Sequence, residues 1–222
     1  MTATAAGLTR PPIWRRLAVG AGPALFVIID VITLGFVTLG YEMVASRILT
    51  PLFGSDIYTW ATIISIVVAG LMAGYFLGGL VADRYGSFLV AGLIKLAAAA
   101  YLFFIFLIAD TGLEHFLDAI PDDTTALFVS GAIVCFPPLL ILGMYSPLSV
   151  RLLLRDPEDA GRISGGLFAI SSLGNIMGTI VTTFFLIPSL GTRAITGGFA
   201  TFLVVSGLVS VAAWLARPDD GV

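Results

Sequence analysis

Cysteine and histidine occur once each in the 222 residues. The single Cys135 lies within an apolar run, which excludes a disulfide framework and a cysteine-ligated metal site. The single His115 sits in a polar stretch, so a His/Glu metal cluster has no basis and a Ser-His-Asp triad would have to use that one exposed residue. Charge is scarce as well. Asp, Glu, Lys and Arg make up 11% of the chain and the net charge is −3. The basic residues fall in short clusters at the ends of apolar runs, so no nucleic-acid partner is expected.

Apolar residues fill the space that charge leaves. They form 58% of the chain, and the mean hydropathy of +1.05 would force a water-soluble domain to expose very large apolar patches. The sequence therefore describes an all-α integral membrane protein whose first partner is the lipid bilayer. Apolar runs of about 20 residues suffice to cross a hydrocarbon core of about 30 Å. Six are expected, at about 23–46, 57–82, 88–108, 125–148, 163–187 and 194–215. Residues 1–18 form an N-terminal segment, 19–216 the transmembrane domain and 217–222 a tail. The Arg15-Arg16 pair before the first run has the look of an export address, but the run is long, holds Asp30 and lacks a small-residue cleavage site, so it reads as a retained helix. Counting arginines alternately puts Arg10, Arg15, Arg16, Arg84, Arg151, Arg155, Arg162 and Arg217 on one side, and Arg47 and Arg193 on the other. The positive-inside rule then places both termini in the cytoplasm and the acidic loop holding Asp110, Glu114, Asp118, Asp122 and Asp123 outside.

The stretch from Tyr41 to Gly86 organises this arrangement. It runs from the end of helix one through an outer elbow, an uninterrupted apolar helix and the charged turn Asp83-Arg84-Tyr85-Gly86. Within helix two, Gly70, Gly74 and Gly78 recur every fourth residue, and Gly174 and Gly178 repeat the spacing in helix five. Such rows let helix backbones approach closely in lipid. Pro137 and Pro138 stand inside helix four, where neighbours must satisfy the carbonyls they free.

Four ionisable residues are candidates for a ligand or ion site. Asp30 lies about ten residues into helix one and Lys95 about eight into helix three from the same side, both some 12–15 Å deep by helical rise. Equal depth and opposite charge make them partners, either as a cation or proton site centred on Asp30 or as a buried pair, with a snorkelling Lys95 as a third option. Glu42 and Arg47 stand at the outer end of helix one, before Pro51 breaks it. They form either a cation-attracting mouth with Tyr58 and Trp60, or an elbow fixed by Arg47 to Glu42 or Asp56 with interfacial aromatic anchors.

The residues Gly79, Asp83, Arg84 and Gly86 have the form G-x-x-x-D-R-x-G, which resembles the loop between helices two and three of major facilitator transporters. Two basic residues usual after the last glycine are replaced here by Ser87 and Phe88. Glu42, Arg47, Pro51, Gly54, Ser55 and Trp60, with the Gly143–Pro147, Ala160–Arg162 and Ile187–Arg193 segments, resemble the membrane domain of the fused MFS/spermidine synthase family, and the likeness runs from Glu42 onward. It implies a six-helix bundle like half a major facilitator. It also implies a cytoplasmic aminopropyltransferase-like partner. The strand and glycine loop of that synthase domain are not found in this sequence, so the resemblance carries over no catalytic activity and no cofactor. Two functions follow as expectations: a non-catalytic module that anchors such a partner or serves a larger membrane complex in a bacterial or archaeal cytoplasmic membrane, or a transporter of a small organic cation such as a polyamine, acting as a homodimer of six-helix halves.

The topology is tested by thiol labelling in a Cys135→Ser background. A His115→Cys variant is expected to react with an impermeant reagent in intact cells, and a Ser87→Cys variant only after permeabilisation. The reverse pattern would overturn the orientation.

Overall fold

A computed structural model describes residues 21–108, 120, 122–154 and 156–216. His115, Asp110, Glu114 and Asp118 of the acidic loop, both terminal segments and Arg155 lie outside the described residues. Among those described there is no strand. The described residues hold seven α-helices, in chain order α1 (Ala21–Phe53), α2 (Ile57–Tyr85), α3 (Phe88–Ile108), α4 (Asp123–Gly143), α5 (Tyr145–Leu153), α6 (Ala160–Val181) and α7 (Ile187–Leu215). A 3₁₀ turn at Pro157–Asp159 precedes α6, and a π-helical turn at Thr182–Leu186 follows it. Five helical stretches are long and apolar enough to cross a membrane.

Several expected boundaries are corrected. Helix one does not break at Pro51 but runs through it to Phe53. It stops where Gly54 takes φ +79° and its N–H reaches back to the Thr50 carbonyl, a left-handed cap open to glycine. Helix two runs on through Asp83 and Arg84 to Tyr85, so its elbow is shorter than expected. Helix four tightens at Met144, whose N–H is shared between the Leu140 and Ile141 carbonyls, and continues as α5 to Leu153. Pro188 does not end the helix expected to stop there. The Ile187 N–H bonds to the Thr182 carbonyl five residues back, and Pro188 sits in the first turn of α7, where its lost donor is tolerated. The helical backbone is broken instead at Gly191, with φ 75° and ψ 160°.

The helices pack in three close pairs: α1 with α6, α2 with α4, and α3 with α7. Small residues make each approach possible. A β-carbon on Gly174 or Gly178 would overlap the carbonyl oxygens of Ile32 and Phe36 on α1. On Gly74 it would overlap Leu140 of α4, and on Gly78 it would come within 2.5 Å of the Met144 backbone. Gly92 and Gly207 meet in the same way between α3 and α7. The order of contacts fixes the directions. Ile32, Phe36 and Gly40 of α1 face Gly174, Gly178 and Thr182 in turn, so α6 runs parallel to α1. Asp30 and Phe36 meet Ser206 and Phe199, so α7 runs against it. The chain thus turns back on itself between α6 and α7.

The core is apolar and so is the outer surface. On α2 the glycines and Thr62, Ile63 and Val67 face inward, while Ile64, Val68, Met72, Phe76 and Leu80 form an exposed apolar stripe. Lipid is the medium that such a stripe suits.

The paired prolines of α4 show the other side of this constraint. Pro137 and Pro138 have no N–H to give the carbonyls four residues back, those of Ile133 and Val134. Each carbonyl accepts a tyrosine hydroxyl instead: Tyr101 Oη donates to Ile133 O at 2.8 Å, and Tyr41 Oη to Val134 O at 2.9 Å. The substitution is one for one, and it ties α1 and α3 to α4.

This pairing generates a specific test. Tyr41→Phe is expected to lower stability by about 1–3 kcal/mol by stranding a buried carbonyl. Adding Pro138→Ala, which returns an N–H to Val134 O, recovers most of the loss in thermal unfolding, whereas adding Pro137→Ala does not. Equal effects of the two proline replacements would contradict the assignment.

Candidate functional site

Two of the four ionisable candidates are brought together. Asp30 lies in the third turn of α1 on the core-facing side shared with Val27, Val31 and Leu34, and Lys95 faces it from α3. Lys95 Nζ is 2.5 Å from Asp30 Oδ2, and the two side chains are 0% and 3% exposed. An ammonium has three protons to place, and here all three are placed. Besides Asp30, Nζ donates to Ser210 Oγ at 2.6 Å and to Ser206 Oγ at 3.1 Å, while Ser206 Oγ donates to Asp30 Oδ1 at 2.7 Å. Phe26 and Tyr145 close the site, with ring centroids 5.4 and 5.3 Å from Nζ. Such ring faces favour a cation.

Three residues of this site, Ser206, Ser210 and Tyr145, were not singled out in the sequence. Two hydroxyls four residues apart in an apolar helix share one face, and that spacing is the signal that could have found them. Tyr145 offers no such signal, because its ring reaches the site from α5, a helix remote in sequence from α1 and α3.

Glu42 and Arg47 are not brought together. Arg47 is exposed, and Glu42 is half-buried near the Cys135 thiol of α4, with no ion pair between them. Because α1 stays helical through Pro51, a five-residue offset keeps them on different faces. Asp56 does not bind Arg47 either. It caps α2 by accepting the Thr59 N–H at 2.8 Å, which holds its carboxyl below the usual carboxylate range. Asp122 caps α4 and is lowered in the same direction, first by the Thr125 hydroxyl at 2.6 Å and then by the Thr125 N–H at 2.7 Å. Each cap is fully present above the ordinary carboxylate range and is lost as pH falls through the lowered folded value. Tyr58 and Trp60 are exposed on the first turn of α2, and Ser55 is exposed in the elbow.

At the other end of α2, Asp83 and Arg84 are exposed in its last turn and Gly79 has open space beside it. Gly86 lies against Arg151 of α5, where a β-carbon would stand 2.7 Å from Arg151 Cγ. Gly70 abuts the Phe136 carbonyl. Near the middle of the bundle, α1, α2, α4, α5 and α6 enclose a cavity of about 50 Å³, with Thr38, Tyr75, Ser146, Ser149, Ser171 and Asn175 among its walls. The Asn175 Oδ1 atom is buried without a hydrogen-bond partner. No group of three or more His, Cys, Asp or Glu that could hold a metal ion occurs among the described residues.

No family model, curated protein or solved structure matches the chain.

Removing one member of the buried pair leaves the other charge without a partner. Lys95→Met is expected to cost about 3–5 kcal/mol in thermal unfolding. The double change Asp30→Leu with Lys95→Met is expected to recover most of that loss. A double variant as unstable as the sum of the singles would show that the pair does not act as a unit.

Proposed function

We propose that this chain is a non-catalytic, multi-pass membrane module that anchors or couples a cytoplasmic aminopropyltransferase-like partner, or serves as a subunit of a larger membrane complex. The observation that carries this reading is the closure of the Asp30–Lys95 site. Every ammonium proton has an acceptor and neither side chain is open to a passing solute, so the pair acts as a clamp between α1, α3 and α7.

The membrane arrangement proposed with it has six crossings, like half of a major facilitator. The continuous helical stretch Pro157–Leu215 contains 59 residues, about 90 Å at helical rise against a core of about 30 Å. The break at Gly191 and the reversal of direction there support counting it as two legs. Exchanging α1, α2 and α3 for α4, α6 and α7 turns the α1–α6 pair into the α2–α4 pair and leaves the α3–α7 pair in place. That is the symmetry of a three-plus-three inverted repeat. The helix directions put Arg84, Arg151 and Arg162 at one end and Arg47 and Arg193 at the other, which supports cytoplasmic termini.

A second reading is favoured by one specific observation, the polar cavity walled by helices from both halves of that repeat. It is a transporter of a small organic cation such as a polyamine, completed by a second copy of the chain.

Cell fractionation with and without the chain separates the two. The anchoring reading predicts membrane-bound aminopropyltransferase activity that becomes soluble when the chain is deleted. Activity that stays soluble in both strains, together with saturable polyamine uptake by proteoliposomes that Asp30→Asn abolishes, would replace it with the transporter reading.

A further inference from the structure

We infer that the polar cavity receives the small uncharged head of a membrane amphiphile, a hydroxyl or amide group, whose chain lies in a lipid-facing groove along α6. The inference goes beyond both functional readings and needs neither; the cation of a two-copy transporter would travel between the copies, where repeats meet. Asn175 carries the argument. It is the only carboxamide side chain in the 222 residues, which contain no glutamine. Its Oδ1 atom is buried without a hydrogen-bond partner. An amide oxygen left so in an apolar medium costs free energy, and a donor brought by a ligand removes that cost. Gly35 of α1 leaves room for it, because a β-carbon there would stand 3.1 Å from Asn175 Oδ1 and 2.5 Å from the Ser171 carbonyl oxygen.

The hydrogen-bonding inventory of the walls selects the head. Thr38 Oγ1 donates to Leu34 O and Ser149 Oγ to Ser146 O, both at 2.7 Å, so these two hydroxyls offer the cavity only lone pairs. The hydroxyls of Ser146, Ser171 and Tyr75, also on the walls, are not engaged by any described residue. An ammonium only donates and would leave those hydroxyl protons unmet; a carboxylate only accepts and would leave Asn175 Oδ1 unmet. A hydroxyl or a primary amide does both. Charge is disfavoured as well, since no described wall residue is a carboxylic acid, lysine or arginine that could balance it. Tyr145, which borders both the cavity and the charged site, faces an ammonium already answered by Asp30. A volume of about 50 Å³, at roughly 10–15 Å³ for each water-sized group, takes a head of about three to five non-hydrogen atoms.

The place of the chain follows from the other side of Asn175. A groove of about 350 Å³ between α1 and α6 is walled by Leu39, Ser172, Asn175, Ile176, Thr179 and Ile180, and Asn175 is the residue it shares with the cavity. Its two hydroxyls are spent within α6: Ser172 Oγ donates to Phe168 O at 2.8 Å and Thr179 Oγ1 to Asn175 O at 3.0 Å. What the groove presents is therefore aliphatic, and Ile176 and Ile180 are exposed on the apolar outer surface. An alkyl chain suits that groove, and a solute that is polar throughout does not.

Asparagine-selective ¹⁵N labelling gives one side-chain amide resonance, that of Asn175, in the full chain in phosphatidylcholine bilayers. The probe is 1-monooleoylglycerol carrying ¹³C in its glycerol carbons. Adding it is expected to shift that resonance saturably and to produce a dipolar contact between the amide nitrogen and the labelled carbons. Ser146→Ala and Ser171→Ala are each expected to weaken this binding by about three- to tenfold, the loss of one net hydrogen bond. No shift and no contact in the wild-type chain at saturating probe would overturn the site. Free ¹³C-glycerol is expected to need a concentration higher by about tenfold or more, because it buries no chain; equal binding would assign the cavity to a soluble solute and overturn the role of the groove. A shift produced by putrescine and by neither glycerol probe would overturn the uncharged class.

Discussion

Hydrocarbon offers no hydrogen bonds, and that single constraint decides where the polar atoms of this bundle go. A freed carbonyl or a lone ammonium that would be solvated in water must here be met by another part of the chain. The Ile133 and Val134 carbonyls are met by Tyr101 and Tyr41, and the Lys95 ammonium by Asp30, Ser206 and Ser210. These few contacts join α1, α3, α4 and α7. They connect helices far apart in sequence, and they do so where apolar contact alone distinguishes poorly between protein and lipid.

Such short side chains reach only because the backbones are close. Gly92 and Gly207 touch one turn away from Lys95, Ser206 and Ser210, and the near contact brings serine hydroxyls to the ammonium. Gly35, Gly174 and Gly178 do the same for α1 and α6, beside the cavity that Asn175 and Ser171 help to line. Glycine seams and polar contacts are therefore coupled. The seam sets the distance and the hydrogen bond sets the register. The one backbone break serves the same geometry: Gly191 lets α7 return along α1 and α3.

Much of this was legible in the sequence because lipid leaves a strong imprint on composition. The apolar runs located the helices, the four-residue glycine spacing marked the faces that pack, and equal depth with opposite sign paired Asp30 with Lys95. The need to satisfy the carbonyls freed by Pro137 and Pro138 was equally plain. The tyrosines that do so were not, because one hydroxyl within α1 and another within α3 carry no local mark of their distant partners. Helix ends were misread wherever proline was taken as a stop. Pro51 lies in the last turn of α1 and Pro188 in the first turn of α7, and the backbone leaves helical geometry instead at the positive φ of Gly54 and Gly191. Glu42 and Arg47 looked like a pair only if α1 unwound, which it does not.

A bundle whose strongest polar contact is internal and saturated is suited to holding a shape in the membrane. The central claim is that Asp30 and Lys95 are joined directly in lipid. Its most direct test is the ¹⁵N–¹³C dipolar coupling between Lys95 Nζ and the Asp30 carboxyl carbon in bilayers. Direct contact predicts a strong coupling that disappears in Asp30→Asn, and a coupling too weak to detect in the wild-type protein would contradict it.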